Sequence, residues 1–140
     1  MTRSSMRSGF SLAEIMIAIL IIGLITAVVV PAYNKYKEKG RRTSTIASLQ
    51  ALKNAIDEFA EELQGNYPQS LQDLIKKPSN LEPEVADKWT EPFLRSKKVP
   101  LDGWGRPFAY KHTPGQEQEY ELYSQGPTSG KKGKIDAWDL

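Results

Sequence analysis

The first pattern in the chain is an apolar run. From Gly9 to Val30 nearly every position is apolar, and Glu14 is its one charge. A bilayer asks about this length of a spanning helix, roughly 20 residues. A carboxylate at membrane depth costs on the order of 2.5–3.5 kcal/mol on insertion scales. Glu14 therefore needs either a partner or, if it snorkels, the interface, only about 6 Å away at 1.5 Å per residue.

The second pattern is a stripe. Beyond Pro31, Tyr33 and Tyr36 continue the apolar positions. Ile46, Leu49, Leu52, Ile56, Phe59 and Leu63 then recur every three or four residues, the spacing of an amphipathic helix. Lys53, Asp57, Glu58, Glu61 and Glu62 fill the other face. Gln64-Gly65-Asn66 and Pro68 predict its stop. One helix over 10–64 would reach roughly 80 Å. Gly23, Pro31 and Gly40 weaken it, since Pro31 removes a backbone bond and Gly23 costs about 1 kcal/mol in propensity.

The remainder predicts a small head over 65–140. Ser70 caps a short helix over 70–77, ended by Pro78. Residues 78–107 read as an irregular loop pinned by Trp89, Phe93, Leu94 and Trp104. Strands are expected near 108–112 and 120–124, separated by the turn residues Thr113-Pro114-Gly115-Gln116. A Gly- and Lys-rich loop, 125–140, docks back through Ile135 and Trp138. The fold class is α+β: a long N-terminal helix, half membrane and half amphipathic, on a head with a short antiparallel sheet.

Charge and composition exclude more than they assign. The net charge is +2, with no cysteine and one histidine, His112. This gives no case for nucleic acid binding, excludes thiol chemistry and leaves no His-rich metal site. Nothing in the sequence supports an enzyme: it has no nucleophile elbow, phosphate-cradling loop or paired ligand spacing. Asp102 reads as a turn residue. The basic residues Lys35, Lys37, Lys39, Arg41 and Arg42 outnumber Arg3 and Arg7 across the apolar run. Charge alone would place the carboxyl side in the cytoplasm. The cluster could equally serve anionic headgroups or acidic neighbours.

Gly9-Phe10-Ser11-Leu12-Ala13-Glu14 with its apolar run resembles the prepilin peptidase site of type IV pilins and their relatives. The resemblance implies a leader over 1–9, cleavage between Gly9 and Phe10, and N-methylation of Phe10. It implies a filament in which residues 10–30 form the core and Glu14 pairs with the new amine, in its own chain or a neighbour. The segment between Gly23 and Pro31 would melt in the filament and kink in the free subunit. The head would lie in the periplasm and the span in the inner membrane, against the charge count.

Three later stretches narrow the resemblance to the G-type core pseudopilins of type II secretion systems. They are Asn66-Tyr67-Pro68, Asp102 to Tyr110, and Tyr120 to Gly126. The family usually reads Asp-Pro-Trp-Gly-Asn-Pro-Tyr in the second, so Gly103 and Arg106 depart from it. The implied function is a structural subunit of a pseudopilus that exports folded proteins across the outer membrane. Implied partners are further copies, the prepilin peptidase, minor pseudopilins, the inner-membrane assembly platform and, indirectly, the secretin. The alternatives are a minor pseudopilin, a DNA-uptake pilin or, in another class, a membrane-anchored binding domain.

The family's C-terminal loop holds calcium through two Asp residues. Here Thr128 or Ser129 and Lys134 stand at those positions. The expectation is no cofactor, with the Lys134 ammonium donating to loop carbonyls and closing the loop. A competing alignment keeps Asp136 as a calcium ligand with Asp139 and Ser129.

Overall fold

A computed structural model describes residues 9–90, 92–128 and 133–140. The chain divides into two units at Glu38–Lys39. One helix, α1 (Leu12–Glu62), belongs to both.

In the first unit α1 buries nothing within the chain. Leu12, Ile15, Met16, Ile19, Leu20, Ile22, Leu24 and Val28 are all exposed. A helix apolar on every side belongs in lipid or among other apolar helices. Thr26, the polar residue inside the run, turns its hydroxyl back to the Ile22 carbonyl at 2.7 Å. That bond removes the polar group from competition for water. The helix passes through Gly23 and Pro31 without interruption.

In the second unit the expected stripe faces the core. Leu49, Leu52, Ile56, Phe59 and Leu63 are fully buried or nearly so, and Ile46 is half-buried. Each large aliphatic side chain buried this way contributes about 1.5–3 kcal/mol. Thr45, Ala55 and Ala60 complete the face. The helix ends two residues before the expected 64. Gln64 adopts a left-handed conformation (φ 58°) and the Gly65 amide donates to the Ala60 carbonyl at 2.7 Å. This closes the last turn as a Schellman-type cap.

The short helix expected over 70–77 is a 3-10 turn, Leu71–Leu74. Its extension fails because its carbonyls are taken. The Leu74 carbonyl accepts from the Phe93 amide at 2.8 Å, and the Asp73 carbonyl accepts from the Trp89 indole at 3.4 Å. The Asp73 carboxylate folds back onto the Gln69 and Ser70 amides. The loop expected over 78–107 contains one helical turn, α2 (Pro83–Ala86), started by Pro83 and burying Val85.

Three antiparallel strands follow in the order β1 (Ala109–His112), β2 (Tyr120–Ser124), β3 (Ile135–Asp136). Ala109 pairs with Tyr123 and His112 with Tyr120, while Ser124 pairs with Ile135. Tyr120, Leu122 and Ser124 point inward and alternate with outward Glu121. The strand at β3 is a finding beyond the docking expected of Ile135. Ile135 and Ala137 are buried, and the Trp138 indole donates to the Tyr120 carbonyl at 3.1 Å. Lys53 of α1 lies 4.1 Å above the Trp138 ring.

Candidate functional site

The start of α1 is built by two side chains. The Ser11 amide donates to Glu14 Oε2 at 2.7 Å, and the Glu14 amide donates to Ser11 Oγ at 3.2 Å. This reciprocal pair is a capping box. It satisfies two of the amide donors that every helix start leaves open. Gly9 and Phe10 precede the helix, and Phe10 is 86% exposed. The scissile bond expected between them is therefore in non-helical, accessible backbone. The Ser-x-x-Glu spacing is the signature of such a box, and the same residues carry the processing motif.

In the C-terminal loop, Lys134 Nζ lies 2.8 Å from Asp136 Oδ2 and 4.1 Å above the Tyr123 ring. Among the described residues the contacts of Lys134 are a carboxylate and a ring one strand away. The Asp136 bond, against a smaller opposing effect of burial, raises the Lys134 ammonium above its ordinary value. Gly126, at φ 70°, meets the Gly133 carbonyl so closely that a Cβ would overlap it.

Beneath this loop lies a buried polar network that sequence reasoning did not find. Asp102 Oδ1 accepts from the Trp104 and Arg106 amides at 3.0 and 2.8 Å. Asp102 Oδ2 accepts from the Ser124 hydroxyl at 2.7 Å, whose oxygen accepts from the Gly126 amide at 3.0 Å. The Gly103 amide donates to Thr45 Oγ1 at 2.8 Å, and that hydroxyl donates to the Arg41 carbonyl. Burial pushes the Asp102 carboxyl up. The Arg106 amide, Ser124 hydroxyl, Trp104 amide and Arg106 charge together outweigh it and hold the carboxyl below its ordinary value. Asp102 is the turn residue that its sequence context predicts.

Calcium takes six to eight oxygens, several from carboxylates. Asp136 gives one oxygen to Lys134 and the other to the Trp138 amide at 3.2 Å. Both oxygens of Asp102 are engaged as well. Among the described residues no group of three or more His, Cys, Asp or Glu side chains converges. Ser129 lies outside the described residues. The donors among the described residues do not fit calcium.

The family model for type II secretion system (T2SS), protein G matches residues 32–140. The chain belongs to the type II secretion system protein G family. The prokaryotic N-terminal methylation motif matches residues 4–30. Similar proteins include the type II secretion system core protein G of Escherichia coli K12, 33% identical over 145 residues. That alignment covers 100% of this chain and 97% of the relative. The protein of the same name from Pseudomonas aeruginosa is 35% identical over 134 residues, 93% of this chain and 89% of its own.

Among solved structures, the major pseudopilin from the type 2 secretion system of enterohaemorrhagic E. coli superimposes with a TM-score of 0.56 at 26% identity. The match covers 76% of this chain and 89% of that one. The chain is a major pseudopilin, a structural subunit and not an enzyme. Membership brings filament formation, processing by a prepilin peptidase and anchoring through the N-terminal apolar helix.

Proposed function

We propose that this pseudopilin enters the inner membrane with its head in the periplasm and is cut between Gly9 and Phe10. Phe10 is methylated, and the mature chain polymerises into the pseudopilus that drives folded proteins across the outer membrane. Minor pseudopilins, the assembly platform and the secretin complete the machine. The carrying observation is that α1 from Leu12 to Val30 buries nothing in its own chain. Lipid covers that surface before assembly, and other copies cover it afterwards.

The capping box supports a role for Glu14 in this transition. Cleavage adds a positive amine at Phe10, next to the positive end of the α1 dipole. The Glu14 carboxylate is already turned toward that end and offsets both charges. Pairing with the amine of its own or a neighbouring chain then fixes register, and leaving such a buried charge unpaired is strongly destabilising. In the filament the segment from Gly23 to Pro31 unwinds. The C-terminal loop is held by Lys134 and Asp136 in place of a metal.

A photo-crosslinker at Leu20, in cells carrying the secretion genes, tests the packing. It should give a ladder of dimers, trimers and higher multimers. With Gly9→Val, which retains the leader, the ladder should disappear. An unchanged ladder from the uncut chain would overturn the reading.

A further inference from the structure

Between Glu14 and Asp57 the chain has one acidic residue, Glu38, and within residues 35–42 it has five basic ones. Lys35, Lys37, Lys39 and Arg42 are exposed on α1, and Arg41 is half-buried. The preceding turn presents Tyr33 and Tyr36, 63% and 75% exposed. Tyr side chains followed by Lys and Arg are the sequence of groups found where a spanning helix leaves hydrocarbon for headgroups.

We propose that residues 33–42 form a collar that binds anionic lipid headgroups at the carboxyl end of the apolar run. This rests on the proposed reading that residues 10–30 span a membrane. By helical rise the basic residues follow Val30 by roughly 8–18 Å, the depth of the headgroups and the water just beyond. That is within about one to two Debye lengths of an anionic surface at physiological salt. Lys35, Lys39 and Arg42 share one side of the helix and Lys37 lies on the other, so charge reaches both sides, as an annulus of lipid requires. A single protein partner would call for one charged face. The collar selects phosphatidylglycerol-type headgroups over zwitterionic ones while the subunit waits in the bilayer, and lateral entry into the filament exchanges those lipids for neighbouring copies.

The test reconstitutes the full chain in phosphatidylcholine vesicles carrying a trace of spin-labelled phosphatidylglycerol or spin-labelled phosphatidylcholine. The motionally restricted fraction of each label reports lipid at the protein surface. The anionic label should be preferred by at least about threefold. The preference should fall toward unity at about 0.5 M salt. It should vanish in a variant carrying Lys35→Gln, Lys37→Gln, Lys39→Gln and Arg42→Gln, whose exposed positions leave the head fold intact by near-ultraviolet circular dichroism.

Equal restriction of both labels would overturn the collar while leaving the membrane span in place. So would a preference that survives the quadruple variant. No restricted lipid at all would remove the span, and the collar with it. Salt-sensitive cross-linking between copies without lipid preference would assign the cations to an acidic face of a second subunit, and the lipid proposal would fail.

Discussion

The Ser124 hydroxyl donates a 2.7 Å hydrogen bond to Asp102 in the interior of the head, joining the end of β2 to the turn before β1. Asp102 is 5% exposed and Ser124 fully buried. Asp102→Ala leaves two amides and a hydroxyl without their acceptor and should destabilise the head by about 2–3 kcal/mol. Urea unfolding of the full chain in detergent, followed by tryptophan fluorescence, measures it. A loss within error of zero would mean that water replaces the carboxylate without penalty.

The same carboxyl gives a pH dependence. Its value is lowered in the folded head, despite burial, by the Arg106 and Trp104 amides and the Ser124 hydroxyl. A lowered folded value means stability that is present above the unfolded value, near 3.9, and is lost as pH falls through the folded one. Urea midpoints should therefore drop below about pH 4. In Asp102→Asn the curve should start lower at neutral pH and fall less steeply in acid. Parallel curves would assign the acid sensitivity to other carboxylates.

Gly103 departs from the proline usual in the family, and the structure gives the reason. Its amide donates to Thr45 Oγ1, a bond that proline cannot make. A Cβ at this position would overlap the backbone carbonyl of Arg41, which cannot move without bending α1. Gly103→Ala should destabilise the head by about 1–3 kcal/mol, and Gly103→Pro by at least as much. Thermal unfolding would show it, and a Gly103→Pro chain as stable as the parent would contradict the close packing described.

Lys134 and Asp136 form a partly exposed pair, so their contribution is small. Lys134→Met should cost about 0.5–1 kcal/mol, less at high salt. The raised ammonium contributes below its unfolded value near 10.4 and is lost as pH rises through the folded one. Because the donors among the described residues do not fit calcium, calcium chloride and a calcium chelator should leave the parent's unfolding temperature unchanged. A rise with calcium would restore Asp136, Asp139 and Ser129 as candidate ligands.

Glu14 combines a cap with a charge, and Glu14→Gln separates them. Glutamine at the third helical position still completes a capping box but carries no charge for an amine. Amide shifts of Leu12 to Ile15 in micelles should stay those of the parent, while the cross-linked ladder is lost. A ladder that persists with glutamine would leave the cap, and not the ion pair, as what assembly needs.

The helical stripe was legible because Ile46 to Leu63 obey one period, and the two longer strands because turn residues bracket them. The 3-10 turn at Leu71 was not, because the competing donors, the Phe93 and Leu94 amides and the Trp89 indole, come from about 20 residues away. β3 has only two residues and no alternation to read. The Asp102 network joins Thr45, Gly103, Ser124 and Gly126 across distant segments, and no local pattern announces it. Lys134 was singled out from sequence by its place in the loop, but its partners, Asp136 and the Tyr123 ring, emerged only with the register of β2 and β3.

Maturation underlies the functional account, and the most direct measurement is intact-mass and N-terminal peptide analysis of the protein from its native membrane. The account predicts a chain that begins at N-methylated Phe10, with residues 1–9 removed. A chain still carrying Met1, or cut at another bond, would contradict it. The capped apolar helix would then be an anchor alone.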